Sequence, residues 1–176
     1  MAIEYECRVL DINAFEMEER LLLLGAKKTC EYFQKRYTYD VNPLDEHKWI
    51  RLRTNGKETT LTVKHVTDNT KLDGTKEWEI EVSDFEKTNE LLNNLGFNYR
   101  NYQENKRILY TFNDVELMID TWPMIPPYLE IEGKNEKDVL EFAKLLDEET
   151  TTKDVVSVYN DYGIDILSIK ELKFEE

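Results

Sequence analysis

The chain has 176 residues, 40% of them hydrophobic and 11% aromatic, which predicts one packed domain over residues 1–176. Its formal charge of −14 argues against nucleic acid or an anionic membrane surface as a partner, because both attract basic proteins. We expect a cytoplasmic protein, because no apolar run approaches the ~20 residues of a membrane-spanning helix and the N-terminus lacks the apolar core of a signal peptide.

The predicted elements start with a strand over 4–8 and an amphipathic helix between Asp11 and Gly25, where the glycine ends it. Asn55 and Gly56 separate two alternating runs, a pattern typical of a β-hairpin. The other predicted strands are 30–41, 47–54, 58–66, 76–82, two between 97 and 120, and 128–133, and the later helices are 84–96, 135–147 and 153–162. An extended tail is expected after the last helix.

This order of elements predicts an α+β fold. Helices follow only the first strand, the fifth and the last, so they do not alternate with the strands as a parallel doubly wound sheet requires. About eight strands favour an antiparallel barrel or strongly curved sheet, with helices packed on its outside.

One face of most predicted strands is charged. Residues two apart in a strand share a face, so Arg51 and Arg53 lie on one side and Ile50 and Leu52 on the other. The same alternation gives further charged rows: Glu4, Glu6 and Arg8; Thr60, Thr62 and Lys64; Glu77, Glu79 and Glu81; Glu116 and Asp120; Glu130 and Glu132. A sheet with one side in water explains any single strand. Six strands with the same pattern favour an eight-stranded closed β-barrel with a hydrophilic interior.

The charges of this interior indicate its ligand. Arginine forks and a lysine suit several phosphate groups. The basic residues in question are Arg8, Arg51, Arg53, Lys64 and Arg107. Clustered carboxylates suit Mg²⁺ or Mn²⁺, which take oxygen ligands and bridge phosphates. Two histidines and two cysteines without zinc-ligand spacing disfavour a zinc site, and no glycine-rich phosphate loop is present.

An ordered set of short motifs carries a family resemblance over about residues 3–170. The set comprises a Glu-x-Glu-x-cation strand, an Arg-x-Arg strand, a strand ending in lysine, a basic-then-acidic strand, Arg-x-x-Tyr, a late Asp and Leu-Glu-Ile-Glu. The matching residues are Glu4, Glu6 and Arg8; Arg51 and Arg53; Lys64; Lys76, Glu77 and Glu79; Arg107 and Tyr110; Asp120; and Glu130 and Glu132. This set resembles the CYTH family of triphosphate tunnel enzymes, which groups class IV adenylyl cyclases, thiamine triphosphatases and inorganic triphosphatases.

The resemblance implies an eight-stranded antiparallel tunnel that binds a small-molecule triphosphate with Mg²⁺ or Mn²⁺. It implies triphosphate binding by Arg8, Arg51, Arg53, Lys64, Lys76 and Arg107. It implies metal binding by Glu4, Glu6, Glu77, Glu79, Asp120, Glu130 and Glu132, with Glu4, Glu6 and Arg8 as the catalytic row. Both a monomer and a homodimer stay open.

Three departures from the family pattern bear on the reaction. Arg8 stands where lysine is usual, Asn105 stands where a lysine often precedes the sixth-strand arginine, and the second strand has Arg36 and its neighbours where an Asp is common. The interpretation we favour is hydrolysis of an inorganic, nucleoside or thiamine triphosphate. The alternatives are a class IV adenylyl cyclase that makes cyclic AMP and pyrophosphate, and a non-catalytic polyphosphate or nucleotide binder.

Overall fold

The structure is a computed structural model that describes residues 2–68 and 70–175, with side chains from Tyr5 onward at the N-terminus. The side chain of the predicted metal ligand Glu4 lies outside this description. The strands in the described residues are β1 (Ala2–Val9), β2 (Lys27–Asp40), β3 (Lys48–Thr54), β4 (Thr59–Val66), β5 (Thr75–Glu81), β6 (Asn101–Phe112), β7 (Val115–Thr121), β8 (Tyr128–Gly133) and β9 (Glu171–Leu172). The helices are α1 (Ala14–Leu23), α2 (Phe85–Asn94), α3 (Glu136–Leu146) and α4 (Val155–Asp161).

The helix ends follow the capping residues of the sequence. The side chain of Asn13 accepts backbone N–H bonds at the start of α1, and that of Asp84 does so at the start of α2. Gly25 follows α1 with φ 95°, a left-handed conformation that glycine adopts without steric cost. The four predicted helices are therefore confirmed. Within the described part of the chain, no helix has the length and apolarity needed to cross a membrane.

Eight strands form one antiparallel curled sheet, in the order β2-β3-β4-β5-β1-β8-β7-β6. The long strand β2 pairs with β3 near its end and with β6 along most of its length. The sheet nevertheless curls through 229°, which makes it a half-barrel. The antiparallel eight-stranded prediction is confirmed, whereas the fully closed cylinder is not.

The apolar faces of the strands pack against the helices, as predicted. Leu117 on β7 and Ile131 on β8 are fully buried in one cluster with Leu21 of α1 and Phe142 of α3. In a second cluster, α2 packs through Leu92 against β2 and β3, on another part of the sheet's outer surface. Each fully buried side chain of this kind contributes roughly 1.5–3 kcal/mol. The outer surface of the sheet thus holds the core, and its inner surface is left for polar groups.

The C-terminal tail contains a ninth strand that the sequence did not predict. Strand β9 is only two residues long and pairs in parallel with β6 at Tyr102 and Gln103. Leu172 of this strand is buried with Tyr159 of α4 and Trp122. Two residues are too few for alternation to indicate a strand, and the buried leucine is what holds the tail in place.

Candidate active site

Two adjoining cavities lie on the inner side of the curled sheet. The inner cavity has a volume of about 270 Å³ and the outer one about 220 Å³. The inner cavity is lined by six cationic and six acidic side chains among the described residues: Arg8, Arg36, Arg51, Arg53, Lys64 and Arg107, and Glu6, Glu77, Glu79, Glu116, Glu130 and Glu132. Charges of both signs in one enclosed space require pairing or a charged ligand.

The strand order separates the two signs of charge. Arg36, Arg51, Arg53 and Lys64 come from the neighbouring strands β2, β3 and β4, whereas the carboxylates come mainly from β5, β1, β8 and β7. The inner cavity therefore has a basic wall on one side and an acidic wall on the other. We use these two names below for those two strand groups.

Three carboxylates of the acidic wall form a compact group. One oxygen from each of Glu6, Glu130 and Glu132 lies within 4.8 Å of the others. Strand geometry explains the group, because Glu6 on β1 is directly opposite Glu132 on β8, and Glu130 is two residues before Glu132 on the same face of β8. Like charges directly opposite each other are unfavourable unless a cation lies between them. Oxygen ligands at this spacing fit a hard divalent ion such as Mg²⁺ or Mn²⁺.

Glu130 also binds two arginines of the inner cavity. Its Oε2 accepts a hydrogen bond from Arg8 Nη2 at 2.6 Å, and its Oε1 accepts one from Arg107 Nη2 at 3.0 Å. Arg8 Nη2 lies 3.1 Å from Glu6 as well. Burial alone would raise the pKa of Glu130, but the positive charges of Arg8 and Arg107 outweigh burial and hold it well below its ordinary value. Glu130 is therefore ionised and able to bind a cation.

Asp120, a carboxylate of the predicted metal set, pairs with an arginine and does not join the compact group. Its two oxygens accept hydrogen bonds from Arg107 Nε at 2.7 Å and Arg107 Nη2 at 2.5 Å, and Asn105 Nδ2 donates to Oδ1 at 3.2 Å. Asp120 is fully buried, directly opposite Arg107 in the β6–β7 pair. It lies outside the compact group and instead fixes the direction of Arg107.

Glu77 and Glu79 face the basic wall from β5. Glu77 lies 3.6 Å from Arg51 Nη2 and forms an ion pair with Lys64. Glu79 accepts a hydrogen bond from Thr62 at 2.6 Å and lies 3.4 Å from Arg51 Nη2. These two carboxylates pair with cations of the basic wall, and they are not part of the compact group around Glu130.

Lys76 and Tyr110 are motif residues that the structure places away from the cavities. Lys76 alternates with Thr75 and Glu77, both of which line a cavity, so it belongs to the opposite face of β5. Tyr110 is fully buried in the core beneath α1. A short motif indicates residue types in order, and it does not indicate which side of the strand each one faces.

Comparison with known proteins identifies the family of this architecture. The family model described as the CYTH domain matches residues 2–157. The chain belongs to the CYTH family. No curated protein matches the chain.

Solved structures show the same fold as this CYTH chain. A protein from Pyrococcus horikoshii OT3 has a TM-score of 0.75 at 23% identity, covering 89% of this chain and 98% of its own. A Vibrio parahaemolyticus protein, provisionally assigned as an adenylate cyclase, has a TM-score of 0.75 at 11% identity, with 90% and 98% covered. A Hippeastrum protein, provisionally assigned as an adenylyl cyclase and described by a dominant triphosphatase activity, has a TM-score of 0.63 at 16% identity, with 96% and 99% covered.

Four residues that line the inner cavity of this CYTH chain were not assigned to the triphosphate or to the metal from the sequence. They are Arg36, Glu116, Trp122 and Tyr128. Alternation already placed Glu116 on the charged face with Asp120, and it puts Arg36 on one face of β2 with Gln34 and Thr38. Tyr128 shares a face with Glu130 and Glu132, so the same alternation places it on the inner side of β8. Trp122 begins an irregular segment after β7, where no periodicity predicts the direction of its side chain.

The lowered pKa of Glu130 gives a pH dependence of stability. A carboxylate whose pKa is depressed on folding stabilises the protein above its unfolded pKa, 4.5 here, and this stabilisation is lost as the pH falls below that value. Thermal unfolding of wild type and Glu130→Gln from pH 7 to pH 3 measures the effect. We expect the difference in Tm to be constant above pH 5 and to shrink below pH 4.5. A constant difference down to pH 3 would contradict this ionisation state.

Proposed function

We propose that this CYTH chain hydrolyses a triphosphate with the help of Mg²⁺ or Mn²⁺. The observation that carries the proposal is the inner cavity, in which the compact group of Glu6, Glu130 and Glu132 faces a basic wall. A metal–triphosphate complex is a ligand that both walls can bind at once. A reducing, cytoplasmic setting accords with the free thiols of Cys7 and Cys30.

The residues divide into metal-holding and phosphate-binding groups. Glu6, Glu130 and Glu132 would hold the ion, which supplies charge stabilisation for the transferred phosphoryl group and activation of an attacking water. Arg51, Arg53 and Lys64 bind phosphoryl oxygens from the opposite wall. Arg8 and Arg107 keep Glu130 ionised and in place.

The outer cavity favours an organic group on the substrate. Part of its lining is apolar, from Trp49, Val66, Val156, Ile166 and Leu167. A nucleoside or thiamine moiety fits such a lining, whereas inorganic triphosphate would leave it unfilled. This observation also supports a second candidate function, an adenylyl cyclase. In that reaction the ribose 3′-hydroxyl attacks the α-phosphate and pyrophosphate leaves. The provisional assignment of the Vibrio protein accords with the cyclase reaction, and the dominant triphosphatase activity of the Hippeastrum protein accords with hydrolysis.

A product assay distinguishes these reactions. Purified protein is incubated with Mg²⁺ or Mn²⁺ and, separately, inorganic triphosphate, ATP and thiamine triphosphate, and phosphate, pyrophosphate and cyclic AMP are quantified. We expect phosphate release that stops when the metal is removed with EDTA. Cyclic AMP with equimolar pyrophosphate would establish the cyclase instead. Tight binding without any turnover would leave a non-catalytic binder.

A further inference from the structure

Arg36 is a buried arginine at the junction of the two cavities. It lies on the inner face of β2, is 8% exposed, and lines both cavities. Its Nη2 donates to Gln34 Oε1 at 3.1 Å and also to Asn105 Oδ1, and its guanidinium carbon lies 4.5 Å from the centre of the Trp122 ring. Neutral amides and an aromatic ring hold the side chain in place without neutralising its charge.

Arg36 differs in this respect from Arg8 and Arg107. Each of those two arginines forms ion pairs with two carboxylates. Within residues 2–68 and 70–175, Arg36 forms no ion pair, and its buried Nε has no hydrogen-bond acceptor. A buried guanidinium without a carboxylate is costly, which a structural role does not explain.

A second arginine stands directly opposite Arg36. In the pairing of β2 with β3, Arg36 is the cross-strand partner of Arg53, whose nearest ion-pair oxygen, on Glu79, is 4.0 Å away. Like charges at directly opposite positions are destabilising. Burial and the neighbouring Arg53 lower the pKa of Arg36 to about 9, and Arg51 and burial lower that of Arg53 to about 9. The fold therefore concentrates positive charge at this pair, and the long contact of Arg53 with Glu79 offsets it only in part.

We propose that Arg36 and Arg53 form a two-guanidinium receptor for one phosphoryl group, at the point where the inner cavity meets the outer one. The proposal rests on the proposed function, since it takes the compact carboxylate group as the site of the metal-bound phosphate. Arg36 then binds the phosphoryl group that is bonded directly to the organic group in the outer cavity.

Affinity for a slowly hydrolysed analogue tests the receptor. Diimidotriphosphate, in which NH groups replace the bridging oxygens, is titrated by calorimetry in Mg²⁺ into wild type, Arg36→Gln, Arg36→Lys and Arg53→Gln. Losing hydrogen bonds to a charged group weakens binding by about tenfold to a hundredfold, and we expect this for both Gln variants. Arg36→Lys keeps the charge and loses the planar fork, so its affinity is expected to be intermediate.

The Tm without ligand distinguishes this proposal from a purely structural role of Arg36. If the role were structural, Arg36→Gln would lower the Tm. Since Arg36→Gln relieves a like-charge pair, its Tm is expected to equal or exceed that of wild type. Lys35→Gln, on the next residue of β2 and exposed on its other face, is the matched control and should change neither Tm nor affinity.

The outcomes separate this proposal from the proposed function. If wild type fails to bind the analogue, both are overturned. If wild type binds and Arg53→Gln loses affinity while Arg36→Gln stays within about twofold, the receptor alone is overturned. If Arg36→Gln does not fold, Arg36→Lys is used in its place, and wild-type affinity in that variant overturns the receptor as well.

Discussion

Glu130→Gln is expected to lower metal-dependent turnover by about a thousandfold or more. Glutamine keeps the size of the side chain and removes the charge, so the compact group with Glu6 and Glu132 loses one of its three anionic ligands. Charge stabilisation by a bound divalent ion is worth several kcal/mol, and about 4 kcal/mol corresponds to a thousandfold in rate. The measurement is kcat with Mg²⁺ and Mn²⁺ over a range of metal concentrations.

The variant is expected to fold, because each arginine that Glu130 binds retains another carboxylate. Arg8 keeps Glu6 at 3.1 Å, and Arg107 keeps Asp120 at 2.5 Å. Circular dichroism of the variant checks the fold. Glu90→Gln, at an exposed position on α2, makes the same chemical change away from the cavities and is the matched control. Full activity in a folded Glu130→Gln protein would place the metal elsewhere.

Arg107→Met is expected to lower the free energy of unfolding by about 3–5 kcal/mol, the cost of leaving a buried charge without its partner. Asp120 is fully buried and takes two hydrogen bonds from Arg107, so the substitution leaves its charge with only Asn105. Adding Asp120→Asn removes that charge, and the double variant should regain much of the loss. Urea unfolding of the four proteins gives the coupling energy of the pair.

An exposed ion pair of the same chain provides the comparison. Arg100 and Asp40 lie 2.8 Å apart on the surface, with side chains 30% and 46% exposed. Exposed pairs contribute about 0–1 kcal/mol, so Arg100→Met should change stability little. If the coupling of Arg107 and Asp120 is no larger than that of Arg100 and Asp40, Asp120 does not hold Arg107 in the way described above.

Alternation in the sequence predicted the positions of the strands and the charged face of each one. This worked because the outer face packs on helices and the inner face lines a polar cavity, so the two faces need opposite residue types. Arg51 and Arg53 on β3, and Glu130 and Glu132 on β8, are cases in which residue type alone indicated the correct wall.

Residue type did not predict the partner of each charge. Glu130 and Asp120 are both carboxylates of the predicted metal set. Cross-strand register sets Asp120 opposite Arg107, whereas Glu130, opposite Arg8, also lies beside Glu6 and Glu132. Register across strands that are far apart in sequence depends on the whole sheet. Lys76 shows the same limit within one strand. It is one residue away from Glu77, so it lies on the opposite face of β5.

Two of the departures from the family pattern meet in space. Asn105 and Arg36, on β6 and β2, looked independent in the sequence, yet their side chains are hydrogen-bonded in the cavity wall. Asn105 also donates to Asp120. The neutral amide on β6 and the cation on β2 therefore form one hydrogen-bonded pair. The sequence of either strand alone could not have predicted it.

The segment that follows α3 touches both the acidic wall and the outer cavity. Thr151 exchanges two backbone hydrogen bonds of 2.8 Å with Arg8, and the carbonyl of Lys153 accepts a bond from Arg8 Nη1 at 2.9 Å. Val155 and Val156, a few residues on, line the outer cavity. A group that fits the outer cavity poorly would shift this segment and so displace Arg8 from Glu130. Under the proposed function, we expect discrimination between organic groups to be expressed in turnover as well as in affinity, because small displacements of catalytic groups are costly in rate.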